Sequence, residues 1–223
     1  MKRKLMVFKV DFEKAFDSLR WDFLDLGMAE MGFGYKWRTW IECCLNDAPA
    51  SVLVNGVPTA EFDVFRGLRQ EDPLSPFLFI LAMEGLHAII EKAKQVNLFT
   101  GVEVRNDGFR LSHLIYVDAV IFMGDWSISN AFNLIGVLRY FFVISGLKSI
   151  VRKRKIIGIG VKEDDSREMA AILGCGVATV SFKYLGVPVD CDMSKIGKWK
   201  EVLEKFKIKL SNWKVVVLWL VEG

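Results

Sequence analysis

Leu114-Ile115-Tyr116-Val117-Asp118-Ala119-Val120-Ile121-Phe122-Met123 is the stretch on which the fold turns. Two apolar runs flank a polar break, with Leu111 adding to the first run. Two short strands joined by a tight turn would hold Asp118 at the tip of a hairpin. A carboxylate placed there is costly unless it faces solvent, a cleft or a cation. A second run, Leu5 to Val10, reads as a buried strand that delivers Asp11 at its C-terminal end. Two carboxylates from adjacent strands can hold magnesium, which prefers oxygen ligands. On spacing alone, two solvated turn residues are the favoured explanation of the pattern.

Outward from these strands the chain alternates helices and hairpins. A helix with Leu24, Met28 and Met31 on one face is expected before Gly32 and Gly34. Another spans about Trp37 to Leu45, with Ile41 and Leu45 one turn apart. Asn55-Gly56 between Ser51-Val-Leu-Val and Val57 is a hairpin signal, because that pair suits the positive φ angles of a type I′ turn. Ser75 as N-cap and Pro76 at the first helical position open a long helix to about Lys94. Asn106-Asp107-Gly108 reads as a turn, and Asn130 to Ser145 as an apolar helix closed by Gly146. Lys148 to Lys155 is basic and runs into a strand from Ile156 to Val161. Asp164, Asp165 and Glu168 suit the start of a helix ending at Gly174. A strand and turn at Phe182 to Pro188 precede a last helix from about Lys195, with Trp199, Leu203, Phe206 and Leu210 on one face. The order implies an α+β fold with an antiparallel sheet packed on helices.

Composition narrows the classes. The 223 residues are 52% hydrophobic and 13% aromatic with a net charge of +3, enough apolar content for a sizeable core. The surplus predicts apolar surface for contact with something else. No apolar run approaches the roughly 20 residues of a membrane span, and the first residues do not form a signal peptide. The four cysteines, Cys43, Cys44, Cys175 and Cys191, contain no C-x-x-C pair. His87 and His113 read as single, unpartnered residues, which argues against zinc. A reduced, intracellular protein is expected, in nucleus or cytoplasm.

Five motifs in order carry a resemblance. Lys9-Val10-Asp11-Phe12-Glu13-Lys14-Ala15-Phe16-Asp17 resembles the first palm motif of reverse transcriptases of plant-type non-LTR (LINE) retrotransposons. Arg66-Gly67-Leu68-Arg69-Gln70-Glu71-Asp72-Pro73-Leu74-Ser75-Pro76 resembles the second, which usually ends R-Q-G-D-P-L-S-P. Tyr116-Val117-Asp118-Ala119 sits where Y-A-D-D belongs, Ser145-Gly146-Leu147-Lys148 resembles the fourth, and Phe182-Lys183-Tyr184-Leu185-Gly186-Val187-Pro188 the primer grip.

The resemblance implies a polymerase palm over residues 1–190, including the primer grip, and the start of a thumb over 191–223. Asp11 and Asp118 would be catalytic metal ligands for two Mg2+ ions, with Phe12 contributing its carbonyl. Phe16 would gate the sugar of the incoming dNTP, with Gln70, Lys148 and Lys153 also around the nucleotide. Tyr116, Val117, Phe182, Lys183, Tyr184, Leu185 and Gly186 would hold the DNA primer on its RNA template. Without the motifs, Phe16 reads as core, Gln70 as a surface loop residue, the basic stretch as a solvated face and Glu84 as the solvent edge of its helix.

Three departures point to lost activity. Ala119 replaces an aspartate, Glu71 a glycine, and Ile150 an asparagine. A methyl group cannot ligate magnesium, and groups acting as a unit fail together. The chain also opens almost at the first motif, so absent fingers, an incomplete thumb and a truncated origin are expected. An RNA-directed DNA polymerase fragment that no longer polymerises is therefore the leading expectation. A nucleic-acid-binding remnant without catalysis and a pseudogene product with no role are the rivals.

Overall fold

The computed structural model describes residues 3–46, 51–104, 108–178, 182–184, 187–189, 203–204 and 207–208. The chain divides into two compact units, Met1–Val177 and Ala178–Gly223.

In the first unit, β1 (Leu5–Asp11) leads into a single turn of helix, α1 (Ala15–Ser18), and then α2 (Trp21–Glu30) and α3 (Tyr35–Asn46). The hairpin β2 (Leu53–Val54) and β3 (Val57–Pro58) follows, then the long α4 (Ser75–Gln95). β4 (Val102–Glu103) pairs with β5 (Arg110–Leu111). The hairpin β6 (His113–Tyr116) and β7 (Ala119–Asp125) comes next, then α5 (Ile128–Ser145), a 3-10 turn at Val151–Lys153, β8 (Lys155–Ile159), α6 (Glu163–Leu173) and β9 (Gly176–Val177). The central sheet has the order β6-β7-β1-β8-β9, antiparallel except for the β8 and β9 pair. The expected α+β palm-like arrangement is present.

β1 alternates strictly between half-buried and buried residues. Met6, Phe8 and Val10 therefore share one face. Opposite them in the ladders lie Gly124, Phe122 and Val120 of β7, and Gly158 and Ile156 of β8. This face meets the helices. Phe12 packs on Phe141 of α5 at 5.9 Å between ring centroids, and Phe23 of α2 meets the same ring edge-on at 5.7 Å. Gly158 lies so close to Ser166 of α6 that an added Cβ would sit 2.7 Å from its Oγ. Burying four large side chains such as Phe8, Phe79, Phe122 and Phe141 contributes about 1.5–3 kcal/mol each.

The other face carries Leu5, Val7, Lys9 and Asp11, with Met123, Ile121 and Ala119 beside them. Leu114 and Tyr116 continue this face on β6 and are 43% and 54% exposed. Ile121 and Ile157 are buried, yet they lie outside the main core cluster. The sheet thus turns Lys9 and Asp11 away from the helical layer.

Local details differ from expectation at three points. Ser75 is the first residue of α4, and Leu74 precedes it as cap. The turn begins earlier, because the Asp72 carboxylate accepts a hydrogen bond from the Leu74 backbone N–H at 2.8 Å. Met31 lies beyond α2 and is 40% exposed; Phe23, Leu24 and Met28 form the buried stripe. The expected strand from Ile156 to Val161 is β8, Lys155–Ile159. Asn55 and Gly56 have φ of 51° and 82°, the positive pair that a type I′ turn demands. Asn106 and Asp107 lie outside the described residues, although β4 and β5 flank them.

Apolar side chains on the β2–β3 hairpin and the loop after it are open to solvent, Leu53 at 70% and Phe65 at 82%. α5 has the length and a mean hydropathy of 1.4 that would allow a membrane crossing. Its Ala131, Leu134, Leu138 and Phe141 are instead buried in the core. In the second unit, β10 (Phe182–Tyr184) and β11 (Val187–Val189) form an antiparallel hairpin, with Tyr184 opposite Val187. Leu185 and Gly186 lie outside the described residues, as do Trp199, Phe206 and Leu210 of the expected last helix.

Candidate active site

Residues 11–20 form the hub of the site, and three distant segments fasten to them through the main chain. The Phe12 N–H donates to the Asp118 carbonyl at 3.2 Å. Glu13 N–H donates to the Lys148 carbonyl at 2.8 Å, and Ile150 N–H to the Asp11 carbonyl at 2.9 Å. Arg20 N–H reaches the Ser145 carbonyl at 2.9 Å. From the other side, Gly67 and Leu68 N–H groups donate to Leu19 and Phe16 carbonyls, each at 2.7 Å. These bonds satisfy backbone groups that burial would otherwise leave unpaired. They also bring the first four motifs to one place.

Two glycines permit the close approaches. Gly67 has φ of +88°, and a Cβ there would lie 2.7 Å from the Asp17 carbonyl oxygen. Gly146 has φ of +80°, and its Cβ would lie 2.4 Å from the Ser18 carbonyl oxygen. Only glycine occupies such positions without strain.

The ladder decides which side chain accompanies Asp11. Asp11 is opposite Ala119. The Phe12–Asp118 hydrogen bond marks the neighbouring pair as the bonded one, so Asp11 and Ala119 form a non-bonded pair with Cα atoms about 4.5 Å apart. Side chains of such a pair share a face and touch. The direct neighbour of Asp11 is therefore a methyl group. Asp118 stands at the exposed tip, next to Val117 with φ of 49°. A β-branched residue in the left-handed region is strained, and such strain concentrates at functional turns. Tyr116 is opposite Ala119 on β6 and half-exposed.

Lys9 lies two residues before Asp11 on the same face, with its Nζ 3.8 Å from Asp11 Oδ1. Lys9 also faces Lys155 across β8. Like charges directly opposite are destabilising unless an anion neutralises them. Neither lysine was singled out from the sequence for its position, although the period of a strand puts residues 9 and 11 on one side.

The remaining expected site residues are spread around this hub. The Phe16 ring stacks on Phe79 at 4.7 Å and is half-buried, as a core residue would be. Gln70 Nε2 donates to Asp17 Oδ1 at 3.1 Å, which ties the second motif to the first. Lys148 and Lys153 are exposed. Phe182, Lys183 and Tyr184 belong to β10 in the second unit. Glu84 is exposed, as expected.

Glu71 occupies a backbone conformation with φ of 68°. The position where the family usually has glycine thus keeps a glycine-like geometry. The Glu71→Gly variant is expected to gain about 0.5–1 kcal/mol in urea unfolding, as left-handed strain is relieved against a more flexible unfolded chain. A loss of stability on that substitution would contradict the reading.

The donors test what a metal could find here. Asp11 is half-buried with a lysine beside it, Asp118 is exposed, and the third position is alanine. This set fits a single oxygen-ligated cation rather than a two-metal centre.

One expectation about histidines is overturned. His87 and His113 are partners: His87 Nδ1 lies 2.9 Å from His113 Nε2. Their ring centroids are 5.0 Å apart. Burial, then the neighbouring His87, pushes the His113 imidazolium down to a pKa of about 4. The pair spans α4 and β6, a juxtaposition of residues 26 positions apart that no local pattern signals.

The model of the reverse transcriptase (RNA-dependent DNA polymerase) family matches residues 1–189. The chain belongs to the reverse transcriptase family. A mitochondrial protein of Arabidopsis thaliana is 41% identical over 66 residues, which cover 30% of this chain and 54% of that protein. The Transposon TX1 149 kDa protein of Xenopus laevis is 24% identical over 88% of this chain and 16% of its own length. The Pol polyprotein of the type-1 retrotransposable element R2 of Popillia japonica is 24% identical over 69% of this chain and 21% of its own. The chain therefore spans about a sixth to a half of the curated relatives it matches. The kinship lies with non-LTR retrotransposon reverse transcriptases, and this chain carries such a domain. Among solved structures, apo telomerase of Candida tropicalis truncated from its C-terminal domain superposes with a TM-score of 0.60 at 13% identity, over 85% of this chain and 34% of that one. Telomerase of Candida albicans in complex with a telomeric RNA fragment gives 0.58 at 12% identity, over 83% and 29%. At this identity the likeness speaks for the fold.

Proposed function

We propose that this reverse transcriptase domain descends from a plant-type retrotransposon enzyme and no longer polymerises. The observation that carries the proposal is the register: the side chain beside Asp11 is the methyl of Ala119. In this reading residues 1–190 are the palm with its primer grip and 191–223 begin the thumb. Asp11, Asp118 and the Phe12 carbonyl would hold magnesium. In the ancestral enzyme, magnesium ions held there would supply activation of the primer 3′-hydroxyl and stabilisation of the leaving pyrophosphate. Phe16, Gln70, Lys148 and Lys153 would surround the dNTP. Tyr116, Val117 and Phe182 to Gly186 would border the DNA primer paired to RNA. The protein acts inside the cell, in nucleus or cytoplasm. A primer-extension assay with magnesium and dNTPs tests the loss of activity; template-dependent extension by the purified chain refutes it.

A second reading, retained binding without catalysis, is favoured by Lys9 and Lys155 facing one another beside Asp11. Asp11 Oδ1, 3.8 Å from the Lys9 ammonium, offsets part of this positive charge, and a backbone phosphate would offset the rest. Binding of an RNA–DNA primer-template duplex is expected to weaken steeply with salt. Replacing both lysines by alanine should make the log–log salt slope shallower by about 2. No binding at low salt would dismiss this reading.

A further inference from the structure

The sheet has a second polar cluster, on its helical side and remote from Asp11. His87 and Glu91 lie one turn apart on α4, and His113 opens β6. One ligand-type atom from each lies within 4.8 Å of the other two. His113 is opposite Phe122, on the core face, whereas Asp11 is opposite Ala119 on the other. Three residues of strand separate these two rungs, about 10 Å.

We propose that His87, Glu91 and His113 form a binding site for a zinc-like divalent ion that fastens β6 to α4. Three features support it. First, the donor set is the two-imidazole, one-carboxylate combination that suits a borderline ion in tetrahedral geometry with water in the fourth place. Second, the facing nitrogens are 2.9 Å apart. Tetrahedral zinc with bonds of 2.0–2.1 Å needs about 3.3 Å between them, so the rings must part by only about 0.4 Å. Third, His113 Nδ1 is 2.8 Å from the hydroxyl of Ser112, itself buried. With Nδ1–H donating to that oxygen, Nε2 presents its lone pair to the cluster. Metal-binding histidines are oriented in this way by a hydrogen bond on the other nitrogen.

Lys94 opposes the ion. Its Nζ donates to both Glu91 oxygens, at 2.7 and 3.0 Å. The ion must displace this ammonium from at least one oxygen. Both side chains are partly exposed, so the exchange needs no core rearrangement. The cluster opens onto a groove of about 570 Å³ that includes Glu84 and Arg110, which gives an ion its entry path.

The test is zinc titration of the whole chain by calorimetry, with cobalt as a spectroscopic substitute. Thiols are first alkylated, because Cys43 and Cys44 are exposed and could bind zinc themselves. The alkylated chain is expected to bind one equivalent, and cobalt to give the visible bands of a four- or five-coordinate site. His87→Gln should weaken binding more than about tenfold. His87 is exposed, so this variant should fold whether or not His113→Gln does. Lys94→Met should tighten binding by removing the competitor. No uptake after alkylation, or equal uptake by His87→Gln, would leave the two rings as a plain hydrogen-bonded pair and overturn the site. Neither result bears on the Asp11 centre, whose fate the primer-extension assay decides.

Discussion

Ala119→Asp is expected to tighten manganese binding at the Asp11 site by about tenfold or more, read by paramagnetic broadening or calorimetry on the whole chain. The register supplies the reason. Asp11 and Ala119 are opposite each other in a non-bonded rung, where side chains come closest. A second carboxylate there would add one full negative charge and two oxygens to a site that hard divalent ions favour. The same change has an opposite effect without metal. Two carboxylates side by side repel, so the variant should lose roughly 0.5–1 kcal/mol of stability in chelator. It should regain that and more when manganese is added, since an ion that binds only the folded state stabilises it by mass action. Asp11→Asn in the same background should abolish the gain, which makes the effect a coupling between positions 11 and 119 rather than general charge. Lys9 limits the native site, its ammonium 3.8 Å from Asp11. Equal ion affinity in the parent and the Ala119→Asp chain would show that the facing position is not a ligand position, and would remove the main argument for lost catalysis.

How much of this was legible beforehand depends on the range of each interaction. β1, β7 and the tight turn at Val117 and Asp118 follow from apolar runs and local turn chemistry, and all three appear where those runs place them. The Asn55-Gly56 hairpin and the Gly146 helix stop are equally local. The meeting of distant motifs was available only through the family resemblance, because no periodicity records that Ile150 will bond to Asp11. Register lay further out of reach. A shift of one residue would have set Asp118 rather than Ala119 beside Asp11, and only the observed ladder distinguishes the two. Ser75 misled because a good capping residue is outcompeted when an aspartate three positions earlier already accepts the exposed N–H. The histidine pair escaped because its members sit on different elements and meet only when α4 packs against the sheet edge.

The largest loss of stability is expected at Gly146, and a matched control makes it interpretable. Gly146 and Gly174 both end helices in the left-handed region, with φ of 80° and 62°. Alanine at either position pays the same kind of backbone strain, about 1–2 kcal/mol. Their surroundings differ. A Cβ at Gly174 meets nothing within 4 Å, whereas at Gly146 it lies 2.4 Å from the Ser18 carbonyl oxygen. That oxygen is main chain and cannot swing aside like a side-chain tip. The segment Ser145 to Ile150 would have to back away from residues 11–20, at the expense of the bonds from Arg20, Glu13 and Ile150. Urea unfolding should therefore show Gly174→Ala down by about 1 kcal/mol and Gly146→Ala by about 3 or more. The gap between them measures the docking of the fourth motif on the first. Because Ile150 N–H holds the Asp11 carbonyl, Gly146→Ala should also erode the ion affinity gained by Ala119→Asp. Equal costs at the two glycines would mean that the fourth motif is held by something other than this contact, and that Asp11 owes its position to β7 alone.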